Sequence, residues 1–137
     1  MKLTKNFIYL LLMGAVMAYV LYQRGIIFAG FENITPAQAY RIYRDDNITL
    51  LDVRTKEELK EDGFIEGAVN IPVQRLVHDI ALLKDDKNST VLVYCRSGNR
   101  SVTAGRILVK NGYTVYNMKG GISAWKKEKF PVMKERQ

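Results

Sequence analysis

The sequence predicts an α/β fold with a central, mostly parallel sheet flanked by helices, and three observations carry that prediction. Residues 48–53 and 90–94 are nearly continuous runs of apolar and β-branched side chains, the pattern of strands buried on both faces. Between and beyond them lie stretches with helical caps or helical apolar spacing. Strands that alternate with helices in this way come to lie side by side in parallel. At 137 residues, 47% hydrophobic and 26% charged, the chain has the length and composition of about one ordinary globular domain.

Residues 7–22 form an uninterrupted apolar run, with Lys2 and Lys5 before it and Gln23 and Arg24 after it. Sixteen helical residues span about 24 Å, somewhat less than the ~30 Å hydrocarbon core of a bilayer. Lys5 and Arg24 can make up the difference by snorkelling. No clear A-x-A site follows the run, and cleavage after Val16-Met17-Ala18 would leave an apolar start. Residues 1–24 are therefore read as a transmembrane anchor, with a cleaved signal segment and a secreted domain as the alternative. Positive charge is concentrated before the run, which keeps the N-terminus in the cytoplasm and places the domain outside it, periplasmic or extracytoplasmic. Residues 25–30 read as a short linker, and residues 31–137 as the folded domain.

Within the domain, Thr35-Pro36 supplies an N-cap and a proline at the first helical position, opening a helix to about residue 44. The strand at 48–53 follows. Thr55 caps a short helix over 56–61, and Glu58 at its third position completes a capping box. Residues 69–71 are a short strand stopped by Pro72. Leu76, Ile80 and Leu83 have helical spacing within 74–83. After the strand at 90–94 a loop runs from Cys95 to Arg100, then a helix over 101–110 ended by Gly112. A strand at 113–116 and a helix at 121–127 close the chain.

Composition excludes several functions. The net charge of +7 falls to +4 once Lys2, Lys5 and Arg24 are set aside, and no aromatic residues interleave with basic runs. Nucleic acid is therefore not the expected partner. Cys95 is the single cysteine and His78 the single histidine, so an internal disulfide is excluded and a Cys/His metal site has too few ligands. No metal and no cofactor are expected. His78 reads as a surface or half-buried residue of its helix.

Cys95 is the candidate nucleophile. Ligands of open α/β sheets bind beyond the carboxyl ends of the strands, and Cys95 stands there, between a buried strand and a helix N-terminus. The helix macrodipole and unpaired backbone N–H groups favour negative charge on such a sulfur. Gly98 lets the loop curl so that its N–H groups face inward as an anion nest. Arg96 and Arg100 add positive charge. An inert, packed cysteine does not suit a polar loop flanked by arginines.

Four segments, in order, carry a resemblance. Leu51-Asp52-Val53-Arg54 with Glu58, then residues 63–72 (Gly-Phe-Ile-Glu-Gly-Ala-Val-Asn-Ile-Pro), then Cys95-Arg96-Ser97-Gly98-Asn99-Arg100-Ser101, then 113–117 with 120–125 (Gly-Gly-Ile-Ser-Ala-Trp) resemble the signatures of single-domain rhodanese-like proteins, the thiosulfate sulfurtransferase family. Together they cover most of residues 34–132. Phe64 stands where the family usually has histidine, which bears on local packing or partner choice rather than on the nucleophile. The resemblance implies a rhodanese-like fold and a sulfurtransferase that passes sulfane sulfur through a Cys95 persulfide. A small anionic donor such as thiosulfate and a thiol or cyanide-like acceptor are the implied partners.

In that scheme Cys95 is catalytic, and Arg96, Ser97, Gly98, Asn99, Arg100 and Ser101 bind the donor and the persulfide. Asp52 and Arg54 support the loop from the neighbouring strand, and Trp125 and the Gly120-Gly121 turn are architectural. The rivals are a cysteine phosphatase and a non-catalytic interaction module or persulfide carrier. A phosphatase loop is C-x5-R, which would require arginine at position 101, and that residue is serine.

Overall fold

The computed structural model describes residues 2–27, 29–83 and 90–135. Helix α1, Lys2–Gln23, precedes a five-stranded sheet in which every pairing is parallel. The strands are β1 Glu32–Ile34, β2 Ile48–Asp52, β3 Val69–Asn70, β4 Thr90–Tyr94 and β5 Thr114–Met118, in the order β1-β5-β4-β2-β3. Helices α2 (Pro36–Ile42), α3 (Lys56–Asp62), α4 (Leu76–Asp79), α5 (Asn99–Lys110) and α6 (Gly121–Lys127) connect and cover them. The expected α/β architecture is present.

Strand β4 lies at the centre, and alternation along it sorts the core into two layers. Val91, Val93 and Cys95 face Ala104 and Leu108 of α5 together with Leu76. Leu92 and Tyr94 face Ala39, Tyr43, Ile122 and Trp125 on the other side. Both layers are closed to solvent, so β4 has no polar face, as its composition requires. Trp125 is fully buried among Tyr40, Tyr43 and Phe130, and its indole N–H donates to the Pro131 carbonyl at 2.9 Å.

Both caps seen in the sequence form. Thr55 and Glu58 exchange the two hydrogen bonds of a capping box, and Thr35 does the same with Gln38. Several elements differ from expectation, among them α5, which starts at Asn99 rather than 101, and β5, which runs on to Met118 rather than 116. Strand β1 was not foreseen: three residues, Glu-Asn-Ile, pair at the sheet edge with β5 and carry no apolar alternation. Helix α2 stops at Ile42, two residues early. The helix expected over 74–83 is broken into a 3₁₀ turn at Val73–Arg75, the single turn α4, and a second 3₁₀ turn at Ile80–Leu82. None of the three pieces has a side-chain cap, and Val73, Val77 and Ile80 are β-branched, weak helix formers. Buried Leu76 and Leu83 pin the segment to the core instead.

Helix α1 exposes nearly all of its apolar side chains between Phe7 and Tyr22. Over Thr4–Gln23 its mean hydropathy is 1.5, long and apolar enough to cross a membrane; a signal sequence has the same properties. Beyond α1, Gly25 packs back onto the domain. Gly25 is buried against Phe31 and Val102, and its carbonyl accepts from the Asn33 side-chain amide at 2.8 Å. The Arg106 guanidinium of α5 lies 3.7 Å from the centre of the Tyr22 ring and donates to the Tyr22 carbonyl.

Candidate active site

Strands β2, β4 and β5 all end at one edge of the sheet, and the candidate residues gather there. Cys95 follows β4 directly, keeps its inward alternation, and is 1% exposed. The chain then turns sharply at Gly98, whose φ of 108° is costly for any residue with a Cβ. That turn brings the Gly98 N–H to 3.1 Å from Cys95 Sγ. The Cys95 thiol lies 3.5 Å from the buried Ser101 hydroxyl, which itself donates to the Gly98 carbonyl at 3.1 Å. Helix α5 begins at Asn99 and has no side-chain cap. Its first N–H groups, at the positive end of a twelve-residue helix, therefore open toward the sulfur loop.

The outside of the loop is held by the first turn of α6. The Ile122 N–H donates to the Cys95 carbonyl at 2.9 Å and the Ser123 N–H to the Arg96 carbonyl at 3.0 Å. This contact depends on Gly121, because a Cβ there would lie 2.3 Å from the Cys95 carbonyl oxygen. The Gly120-Gly121 turn thus lets a helix N-terminus press against the loop backbone, which gives an architectural expectation a concrete cause.

Two hydrogen-bonded ion pairs flank the loop. Asp52 and Arg54, both 0% exposed, pair through Nη2 and Oδ2 at 2.6 Å and through Nε and Oδ1 at 3.0 Å. Arg54 Nη2 also donates to the Gly63 carbonyl at 2.8 Å, so the pair ties the end of β2 to the turn after α3. Its Nη1 is buried with no partner. Burial works to lower the Arg54 pKa, but the Asp52 carboxylate outweighs it and raises the net value. Burial, reinforced by Asp52, also raises that of Tyr94, whose hydroxyl oxygen accepts from the Ile65 N–H at 3.1 Å.

The second pair joins the loop itself to α3. Arg100 forks onto Glu58 with hydrogen bonds of 2.7 and 2.6 Å. The Arg100 guanidinium holds Glu58 down at about 2, burial opposing it and the Thr55 N–H adding to it. Arg100 therefore spends its charge on a carboxylate 42 positions away. Arg96 is more open: its guanidinium is largely exposed and lies 3.9 Å from Asp62.

Of the proposed loop residues, Gly98 and Ser101 contact Cys95 Sγ directly, while the Arg96 and Arg100 side chains turn toward Asp62 and Glu58. Phe64 is half-buried, and its backbone pairs in both directions with Met133, at 2.9 and 2.7 Å. His78 lies on α4, exposed. Sequence reasoning did not place Lys119, Asn117 or Arg24 near the loop. Lys119 follows β5 at the same sheet edge as Cys95, and this position was the available signal for it.

Comparison with known proteins identifies the family. Residues 35–128 match the model of the rhodanese-like domain. A sulfurtransferase of Allochromatium vinosum is 34% identical over 94 residues, covering 68% of this chain and 85% of that protein. A thiosulfate sulfurtransferase of Escherichia coli is 40% identical over 72 residues, covering 53% of this chain and 68% of that protein. The crystal structure of a rhodanese-related protein from Thermoplasma volcanium is similar with a TM-score of 0.69 at 34% identity, over 77% of this chain and all of that one. On its sequence motifs, its parallel sheet and these matches, the chain belongs to the rhodanese-like family.

Proposed function

We propose that this protein is a sulfurtransferase that carries sulfane sulfur as a persulfide on Cys95. The observation that carries the reading is the holding of Sγ: a buried sulfur, an N–H donor at 3.1 Å, and an uncapped helix N-terminus within the same six-residue loop. These groups stabilise negative charge on Sγ and on a sulfur added to it. The Cys95 thiolate attacks the outer sulfur of a donor such as thiosulfate. A Cys95–sulfur bond forms, the sulfur–sulfur bond of the donor breaks, and sulfite leaves with the electron pair. In the second half the outer sulfur passes to a nucleophile and Cys95 returns as thiolate, a two-step covalent cycle with ping-pong kinetics.

The ion pairs divide the remaining roles. Arg96, open to solvent, is the loop cation available to attract an anionic donor, with Ser97, Gly98, Asn99 and Ser101 lining the cradle. Arg100 braces the loop against Glu58 and contributes less attraction than its charge alone would. Asp52 and Arg54 hold the end of β2 beneath. A phosphatase role is disfavoured, because Arg100 comes one residue early for a C-x5-R cradle and is engaged by Glu58.

Residues 1–24 act as a membrane anchor with the domain on the outer side, a reading supported by the apolar α1 and the positive charge before it. The central test is intact mass after incubation with thiosulfate. Wild-type protein is expected to gain one sulfur atom and lose it to cyanide as thiocyanate, while Cys95→Ser gains none. No gain on the wild type with any sulfane donor would sink the reading. Protease accessibility of the domain in sealed cells tests the topology.

A further inference from the structure

Positive charge at the sulfur loop is matched by carboxylates almost residue for residue. Beneath the loop, Arg54 is sealed against Asp52. Within it, Arg100 forks onto Glu58, and Arg96 lies 3.9 Å from Asp62, which Lys126 also approaches at 4.0 Å. Lys119 and Arg24, which line the pocket beyond Ser97–Asn99, are exposed, and salt screens them. The Glu58–Arg100 pair is only partly accessible, so its charges are screened less.

A loop balanced in this way suits a donor of low charge. The Gly98 N–H and the uncapped start of α5 stabilise the negative charge of Sγ, or of a sulfur added to it. A donor then brings charge of its own toward the thiolate. Thiosulfate brings two negative charges, an organic thiosulfonate one. The Glu58 carboxylate raises the Arg100 pKa, and the Cys95 sulfur adds to the effect, so Arg100 and Sγ interact electrostatically. Glu58 grips that same guanidinium through both of its oxygens and cancels part of its field at the sulfur.

We propose that Glu58 is a specificity-determining residue that biases sulfur loading toward singly charged donors and against dianions such as thiosulfate. This rests on the persulfide reading above. Glu58 acts through its own field and through Arg100, not as a reacting group. With a thiosulfonate, the Cys95 thiolate attacks the outer sulfur and a Cys95–sulfur bond forms. The sulfur–sulfur bond of the donor breaks, and an organic sulfinate leaves with the electron pair. Both donors yield the same persulfide, so a substitution that shifts one rate against the other reports on donor charge.

Glu58→Gln suits the test, because glutamine at the third helical position keeps a capping box, as Gln38 does for Thr35. The full chain in neutral detergent micelles is loaded with thiosulfate or with methanethiosulfonate. Second-order rate constants are read by intact mass, with Cys95→Ser as the blank. Glu58→Gln is expected to raise the thiosulfate-to-methanethiosulfonate rate ratio roughly three- to tenfold at low ionic strength, and the gain to shrink in about 0.5 M salt. Glu58→Asp, which keeps the charge, is expected to stay near the wild-type ratio. Loosening of a mere brace slows both donors alike, so an unchanged ratio in Glu58→Gln overturns the proposal. Equal ratios in Glu58→Asp and Glu58→Gln overturn it as well. Loss of loading from every donor strikes the persulfide reading instead. The charge preference is then decided on Cys95→Ser by NMR titration with sulfate and methanesulfonate. Adding Glu58→Gln should tighten sulfate over methanesulfonate by a similar factor, and equal changes in both overturn the proposal.

Discussion

The two ion pairs at the candidate site use the same chemistry under different burial, and burial separates their roles. Asp52 and Arg54 are sealed at 0% exposure, while Arg100 and Glu58 keep 32% and 20% of their side chains accessible. A sealed pair must hold its geometry, because removing one partner strands a charge without water. The accessible pair joins a loop to a neighbouring helix and can part at modest cost, with solvent taking over the released charges. The first acts as frame and the second as adjustable brace. The Arg75–Asp79 pair is more open still, with the Arg75 side chain 69% exposed.

The largest effect should come from breaking the frame. Arg54→Met leaves the Asp52 carboxylate buried and unpaired, and should cost about 3–5 kcal/mol in urea unfolding. Adding Asp52→Asn should recover part of that loss, and failure to recover any would mean that Arg54 acts through packing alone.

The brace should be weaker and should depend on pH. Glu58 has a folded value near 2 against an ordinary 4.5, so the folded state favours its charged form. The stabilisation is therefore complete above about pH 4.5 and is lost as pH falls toward 2; in full it amounts to roughly 3 kcal/mol or less, given partial exposure. Glu58→Gln should flatten the acid limb of a stability–pH curve over that window. An unchanged limb would show that the fork with Arg100 does not persist in solution.

Arg100→Lys should do less, lowering Tm by about 3–6 °C because an ammonium cannot form the bidentate fork. Persulfide formation from thiosulfate should slow several-fold through a looser loop, with the charge retained. If Arg100 instead served mainly as a donor-attracting charge, lysine would preserve the rate. Smallest of all, Arg75→Ala should leave Tm and sulfur loading unchanged.

Much of this was readable from sequence wherever a signal is local. The strands at 48–52 and 90–94 declare themselves because burial on both faces leaves no polar positions, and the Thr55–Glu58 box lies within three residues. Cys95 is legible because a buried strand, a glycine turn and a helix start follow one another in sequence. The misses depend on distant partners. Strand β1 exists because β5 offers it a backbone edge, and no pattern in Glu-Asn-Ile announces that. Glu58 and Arg100 are 42 residues apart, and Asn33 and Asn117, whose side chains hydrogen-bond, are 84 apart, so both contacts emerge only on folding. Segment 74–83 keeps helical spacing but lacks the caps and propensity to sustain a helix.

The packing of Gly25 and the stacking of Arg106 on Tyr22 also change how far the domain can roam. A free six-residue spacer would let its ends separate by roughly 12–15 Å and would let the domain tumble as on a string. The Gly25 and Arg106 contacts restrict that swing. Wherever α1 is held, the sulfur loop is held near it, within a pocket's width of Arg24. Were α1 held in a membrane, as proposed above, encounters with a partner in the same plane would become a search in two dimensions, decided by lateral approach rather than by the swing of a tether.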